Sequence, residues 1–126
     1  MGNSTMQRGP EQWFLDAHPE RGSVRVQVST GRGLFPVEGA RVEIYRRLGP
    51  EPTVFYEGVT DASGIAEAIR LPALPAGWSQ SAETVGISGT VYQVSVRHPQ
   101  HGTVEGRPVT VFPRIETVLA VSLGAA

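Results

Sequence analysis

The chain contains neither cysteine nor lysine. Without cysteine there are no disulfides, no thiolate metal sites and no thiol nucleophile, and redox usage says nothing about compartment. Without lysine there is no Schiff-base chemistry, no P-loop and no Lys–Asn or Lys–Asp isopeptide crosslink. All 11 basic residues are arginines, scattered evenly as a coding bias towards Arg would leave them. Stability must therefore come from packing. Aromatics are also scarce, at 2 Trp, 3 Tyr and 4 Phe, and they form no cluster of the kind that stacks on sugars.

No apolar run approaches the roughly 20 residues of a spanning helix, so membrane insertion is not expected. The opening MGNSTMQRGPEQ lacks the apolar stretch of a secretory signal. Gly2 does not make a myristoylation site either, because Met6 stands where Ser or Thr is needed. The net charge of −1, from 11 basic against 12 acidic residues, leaves no footprint for nucleic acid or anionic lipid.

A length of 126 residues is that of one domain with one core. Residues 1–21 read as a polar, irregular arm around one apolar knot, Trp13-Phe14-Leu15, ending at His18-Pro19-Glu20. From 22 to 126 the period is two. Val24, Val26 and Val28 alternate with Arg25 and Gln27, and Ala40, Val42 and Ile44 alternate with Arg41, Glu43 and Tyr45. These are half-buried strands. TVFYEGV is β-branched and aromatic; residues 65–71 set Ile65, Ile69 and Leu71 on one side, with a helix as the rival reading for SGIAEAIRL. After the Pro/Gly/Ser-rich segment 72–90, Tyr92, Val94 and Val96 alternate, then Val109 and Val111, then Ile115, Thr117, Leu119, Val121 and Leu123. Seven short strands without a long helix imply two packed antiparallel sheets in a Greek-key β-sandwich.

The order of landmarks carries a resemblance. Val24-Arg25-Val26-Gln27-Val28 is followed by Pro36-Val37-Glu38-Gly39-Ala40-Arg41-Val42, Thr60-Asp61-Ala62-Ser63-Gly64, Leu71-Pro72 and Tyr92-Gln93-Val94-Ser95-Val96. The chain resembles the carboxypeptidase regulatory-like family, which implies a seven-stranded sandwich of prealbumin (transthyretin-like) type. Its second half, through Val111-Phe112-Pro113 and the closing apolar strand, is similar to the module of Firmicute spore-associated proteins, including prepro-forms of spore cortex-lytic enzymes. His101-Gly102-Thr103 and Ser122-Leu123-Gly124 depart from that module's Gly-aromatic pair and Ile-Pro-Leu ending. The fold type also raises hydroxyisourate hydrolase, a family that uses an N-terminal His, an Arg and a further His and ends in Tyr-Arg-Gly-Ser. This chain ends Leu-Gly-Ala-Ala and its His18 stands in a different context, so that activity is not expected.

Asp61 and Ser63 read as a turn, with Asp61 capping the backbone two residues on and Gly64 free to take positive φ. A nucleophilic Ser63 would need a base and an orienting group, and no His lies near it in sequence. His98-Pro99-Gln100-His101 is the best metal candidate, with His18 and Glu105 as further ligands. Pro99 makes it a polar hairpin tip, however, and a zinc site needs at least three converging protein ligands. No catalytic residue, metal or cofactor is expected. Trp13, Phe14 and Leu15 must bury themselves, either on their own domain or on a neighbouring subunit, since each would cost on the order of 2 kcal/mol in water.

The reading drawn from the residues is a non-enzymatic structural module: a subunit of a homopolymeric surface, spore-associated or phage-like assembly joined through its N-terminal arm. The alternative is an accessory domain that recognises a protein or glycan through the end loops of the sandwich, with Trp78 as the loop contact.

Overall fold

The computed structural model describes residues 9–31, 33–74 and 89–124. One short helix, α1 (Pro10–Ala17), precedes eight strands: β1 (Glu20–Thr30), β2 (Phe35–Pro36), β3 (Arg41–Arg47), β4 (Pro52–Val59), β5 (Ile65–Ala73), β6 (Thr90–His98), β7 (Gly102–Val111) and β8 (Glu116–Ser122). Two four-stranded sheets face each other. In one, β1 is central, with β5 and the two-residue β2 antiparallel to it and β8 parallel to it. The other runs β4-β3-β6-β7, antiparallel throughout. The expected all-antiparallel pattern thus fails at β8, because the chain reaches β1 from β7 of the opposite sheet and arrives in β1's own direction.

The inward sides of both sheets supply the core. Val24, Val26 and Val28 of β1, Ile69 and Leu71 of β5, and Val121 and Leu123 at the end of the chain pack against Val42, Ile44, Tyr92, Val94, Val96, Val109 and Val111. Buried apolar area of this kind is the main favourable term in folding. Thr60 is buried with its hydroxyl satisfied both ways, accepting from the Ala40 amide at 2.9 Å and donating to the Val37 carbonyl at 2.6 Å. That clasp ties the β2–β3 connection to the end of β4.

SGIAEAIRL is strand, not helix, but its alternation is broken. Val24 pairs with Ile69 and Val26 with Ala66, so Arg25 alone stands opposite Glu67 and Ala68. This is a β-bulge, one extra residue in β5. Ala68 takes φ +62°, and beyond it the phase reverses: Ala66 goes into the core, while Ile65, expected inside, turns to the outer face. Ile115 was likewise expected inside and lies exposed in the turn before β8.

The turn after β4 is built around Asp61. Its Oδ1 accepts the amide hydrogens of Ser63 at 2.9 Å and Ile65 at 3.0 Å, and its carbonyl accepts that of Gly64 at 2.9 Å. Gly64 sits at φ +77°, and a Cβ there would run into the Val28 carbonyl oxygen. Trp78 lies outside the described residues.

The described part of the arm is α1, which covers one end of the sandwich. Pro10 suits the first turn because its missing N–H is not needed there. Pro19 disfavours helical backbone at His18, which caps the helix with its amide on the Leu15 carbonyl at 3.2 Å. Phe14 is buried among the chain's own residues, edge-on to Phe55 at 5.6 Å and to Tyr92 at 6.2 Å between ring centroids. Leu15 is half-buried against the same core, and Trp13 is exposed.

Phe14→Ala is expected to lower the unfolding free energy by about 3 kcal/mol, the usual loss for an emptied aromatic site. Gly64→Ala is expected to cost about 2 kcal/mol from the forced left-handed backbone alone. Urea denaturation of the two variants measures both. A Phe14→Ala protein as stable as the parent would show that α1 does not pack on this end.

Candidate functional site

Three arginines distant in sequence meet on the outer face of the β5-β1-β8 sheet. Ser23 and Arg70 are directly opposite each other on β1 and β5, and Arg21 is the next outward residue of β1 towards its start. Arg114 joins them from the β7–β8 turn. Its amide donates to the Arg21 carbonyl at 2.8 Å, and the Ser23 amide donates to the Ile115 carbonyl at 3.1 Å, which pins that turn to the beginning of β1. Arg21, Gly22, Ser23, Ala68, Arg70 and Arg114 line a cleft of about 300 Å³.

The cleft's backbone is unusual. Ala68 and Arg114 are the non-glycine residues with positive φ among the described residues, both at +62°, and both line this cleft. Left-handed backbone costs a residue with a Cβ about 1 kcal/mol or more and tends to persist where a site requires it. Gly22 is part of the same packing, since a Cβ on it would strike the Phe112 carbonyl.

The charges are unevenly matched. Arg114 Nε stands 3.6 Å from Glu20 Oε1, and Arg21 donates from Nη1 to the Glu20 carbonyl at 3.3 Å. Arg70 makes no hydrogen bond or ion pair among the described residues. Of these three guanidiniums only Arg114 therefore pairs with a carboxylate among the described residues, and Glu116, opposite Ser23 on β8, pairs with none of them. Guanidiniums present planar, forked donors suited to carboxylate and phosphate oxygens.

Further along the same face, the Arg25–Glu67 pair, at 3.3 Å, separates this cationic end from a second cleft. That cleft, of about 400 Å³, is lined by neutral groups, among them Gln27, Ser29, Ser63 and Ile65. Ser63 has no imidazole beside it there.

The histidines lie elsewhere. His98 and His101 sit at the β6–β7 hairpin tip with ring centroids 4.8 Å apart, and His98 Nδ1 accepts the Gln100 amide at 3.1 Å. Among the described residues no three His, Asp or Glu side chains converge as a metal would need. His18 stacks on Phe14, its centroid 3.9 Å away and the rings 21° apart. Its Nδ1 is 2.8 Å from the Phe14 carbonyl, which can only accept, so Nδ1 carries the proton. Burial lowers the His18 pKa below the ordinary 6.5; the hydrogen bond to Phe14 opposes this and the Arg46 cation adds to it. Arg46 also lies over the Phe14 ring, 5.1 Å from its centroid. Tyr92 is held far from ionisation by burial, and its hydroxyl donates to the Pro72 carbonyl at 2.6 Å.

The cationic cleft was invisible in the sequence because nothing in the spacing of residues 21, 70 and 114 joins them. Strand pairing does so, and the bulge at Ala68 sets where β5 turns its side chains. An even scatter of arginines reads as composition until the sheet order is known.

No protein-family model matches the chain, and no curated protein does. Solved structures do match. A 5-hydroxyisourate hydrolase of Klebsiella pneumoniae aligns over 82% of this chain and 92% of that one, at 12% identity and a TM-score of 0.46. An (S)-allantoin synthase aligns over 85% of this chain at 15% identity and a TM-score of 0.51, and the match spans 42% of that longer chain. The fold is transthyretin-like. The match to the synthase overturns the expectation of a non-enzymatic structural or accessory module, because the sandwich on which that expectation rested is shared with a chain named as an enzyme. The finer likeness to carboxypeptidase regulatory-like and spore-associated modules rests on the landmark residues alone. Among the described residues no helix is long and apolar enough to cross a membrane.

His18 makes the end cap pH-sensitive. Its folded pKa is lowered, so the unfolded chain takes up the proton more readily, and stability falls as pH drops below about 6.5. The expected result is a melting temperature that declines between neutral and mildly acidic pH, with that part of the decline missing in His18→Gln. Equal pH slopes in the two proteins would remove His18 from the account.

Proposed function

We propose that the protein binds a small carboxylate- or phosphate-bearing molecule in the cleft formed by Arg21, Ser23, Arg70 and Arg114. The observation that carries this is the joint presence, on one 300 Å³ cleft, of three guanidiniums and both left-handed non-glycine residues among the described set. Arg70, having no partner among the described residues, is the first anchor. The Ser23 hydroxyl, directly opposite it across the ladder, is the nearest neutral donor. Arg21 and Arg114 close the sides, drawn from Glu20 when an anion arrives. An exposed guanidinium paired with one carboxylate gains little from that pair, so exchanging it for a ligand oxygen costs little.

A small-molecule ligand is in keeping with a fold shared with an enzyme named for a small molecule, (S)-allantoin. The landmark residues from Val24 to Val96 support placing the chain, within that fold, beside the carboxypeptidase regulatory-like group.

Calorimetric titration with inorganic phosphate and with citrate at low ionic strength tests the reading. Binding of one equivalent is expected, weakening with added salt because the site is solvated. Arg70→Ala is expected to weaken it about tenfold, the loss of one charge-assisted contact. Unchanged affinity in Arg70→Ala, or no binding of either anion, would dispose of the proposal.

A further inference from the structure

The outer face of the other sheet arranges its charges against the usual rule. Cross-strand neighbours of opposite sign stabilise a sheet and like charges directly opposite destabilise it. Here Glu43 stands directly opposite Glu57, and Arg41 directly opposite Arg97. Exchanging the two β3 residues, Arg41 and Glu43, would put opposite signs across from one another in both rows. The chain instead keeps an acidic row, Glu57-Glu43-Ser95-Glu105, beside a basic row, Arg41-Arg97.

Both ladder irregularities of this sheet fall on the same region. The β3–β4 register shifts between Ile44 and Tyr45, where β4 carries the extra residue Phe55. The β6–β7 register shifts between Val94 and Val96, where Glu105 and Gly106 together oppose Ser95, and Gly106 takes φ +72°. Bulges of this kind re-aim side chains and are enriched beside binding sites. The second one carries Glu105 to the rim of a cleft of about 340 Å³ that Glu43, Tyr45, Arg47, Ser95 and Arg97 also line, Arg47 donating from Nη1 to the Pro50 carbonyl at 2.8 Å. On its floor Ser95 Oγ donates to the Tyr45 hydroxyl at 3.3 Å, so these two side chains hold each other in place.

Within the cleft the charged groups leave one another unsatisfied. Glu43, Glu105 and Arg97 form no ion pair or hydrogen bond among the described residues, although two signs are present. Arg97 lies one outward position beyond Ser95 on β6, on the order of 7 Å along the strand at the usual rise per residue. The cleft thus holds carboxylates beside a phenol ring, a setting that suits an ammonium group, and the Arg97 guanidinium on the next outward position of β6.

We propose that this cleft binds a small zwitterion whose ammonium and carboxylate are about two strand residues apart, on the order of 7 Å. The ammonium sits between Glu43 and Glu105 beside Tyr45, and the carboxylate takes the fork of Arg97. A straight-chain amino acid of five or six carbons with its amine at the far end has that span; an α-ammonium lies too close to its carboxylate to reach both poles. The site is separate from the cationic cleft and does not depend on it.

The test is an amide-shift NMR titration at low ionic strength with glycine, 3-aminopropanoate, 5-aminopentanoate and 6-aminohexanoate, using pentylamine and pentanoate as single-charge controls. Affinity is expected to peak at the five- or six-carbon member, at about tenfold above either control, with shifts centred on Tyr45, Ser95 and Arg97. Arg97→Gln should erase the advantage over pentylamine, and Glu43→Gln the advantage over pentanoate. Val118→Ala, exposed on the opposite sheet and outside both clefts, should change neither, and thermal melts should show all three variants folded. Pentylamine binding as tightly as 5-aminopentanoate, affinity indifferent to chain length, shifts confined to the opposite sheet, or no binding at all would each overturn the proposal.

Discussion

Between Val24 and Val26 the ladder sets Glu67 and Ala68 against Arg25 alone, and much of the first sheet's organisation follows from that extra residue. It reverses the phase of β5, so that Ile69 and Leu71 on one side of it and Ala66 on the other all reach the core. The same reversal holds Ala68 at positive φ on the outer face and carries Arg70 up beside Ser23. Without the bulge, a strict alternation from Leu71 would bury Glu67 in place of Ala66. An unpaired carboxylate in an apolar core is far more costly than one strained residue. The bulge thus keeps a charge out of the core and, as a consequence, shapes the cationic cleft. Glu67, turned outward, meets Arg25 at 3.3 Å and divides the face into a charged end and a neutral one.

The sandwich was legible in the sequence because its strands alternate strongly where they are buried on one face. Val24-Val26-Val28, Val42-Ile44 and Tyr92-Val94-Val96 all lie inward as the period requires. What was not legible falls where pairing, rather than period, decides. Ile65 and Ile115 have the composition of core residues, but the bulge turns one outward and the β7–β8 turn exposes the other. The parallel course of β8 depends on which sheet the preceding strand belongs to, and alternation within β8 carries no record of that. The cationic cleft is a third case: Arg21, Arg70 and Arg114 become neighbours only through the β5-β1-β8 order and two hydrogen bonds to the β7–β8 turn.

The arm shows how an ambiguous apolar knot is resolved. Trp13, Phe14 and Leu15 are consecutive, and on a helix consecutive residues point in different directions. Only one can face the sandwich squarely. Phe14 does so, inserting between Phe55, Tyr92 and the aliphatic part of the end, while Leu15 lies along the margin and Trp13 is turned outward. His18, one turn on from Phe14, then stacks on it and fixes its own tautomer through the Phe14 carbonyl. A single inserted ring therefore determines the orientation of α1 and the protonation chemistry of the residue that caps it.

The two outer faces differ in how they treat charge, and the contrast bears on what each is for. On the β5-β1-β8 face Arg25 and Glu67 pair, and Glu20 answers Arg114, which leaves Arg21, Arg70 and Glu116 without an ion pair among the described residues. On the β4-β3-β6-β7 face like stands opposite like, and the poles remain unpaired across a cleft. A surface that served solubility alone would interleave its signs, because interleaving lowers the energy at no structural cost. Exposed pairs are each worth only a few tenths of a kcal/mol to about 1 kcal/mol, so the penalty for forgoing them is small. A small standing penalty at a site that two bulges have already reshaped is what a fold would tolerate where the missing opposite charges arrive with a ligand.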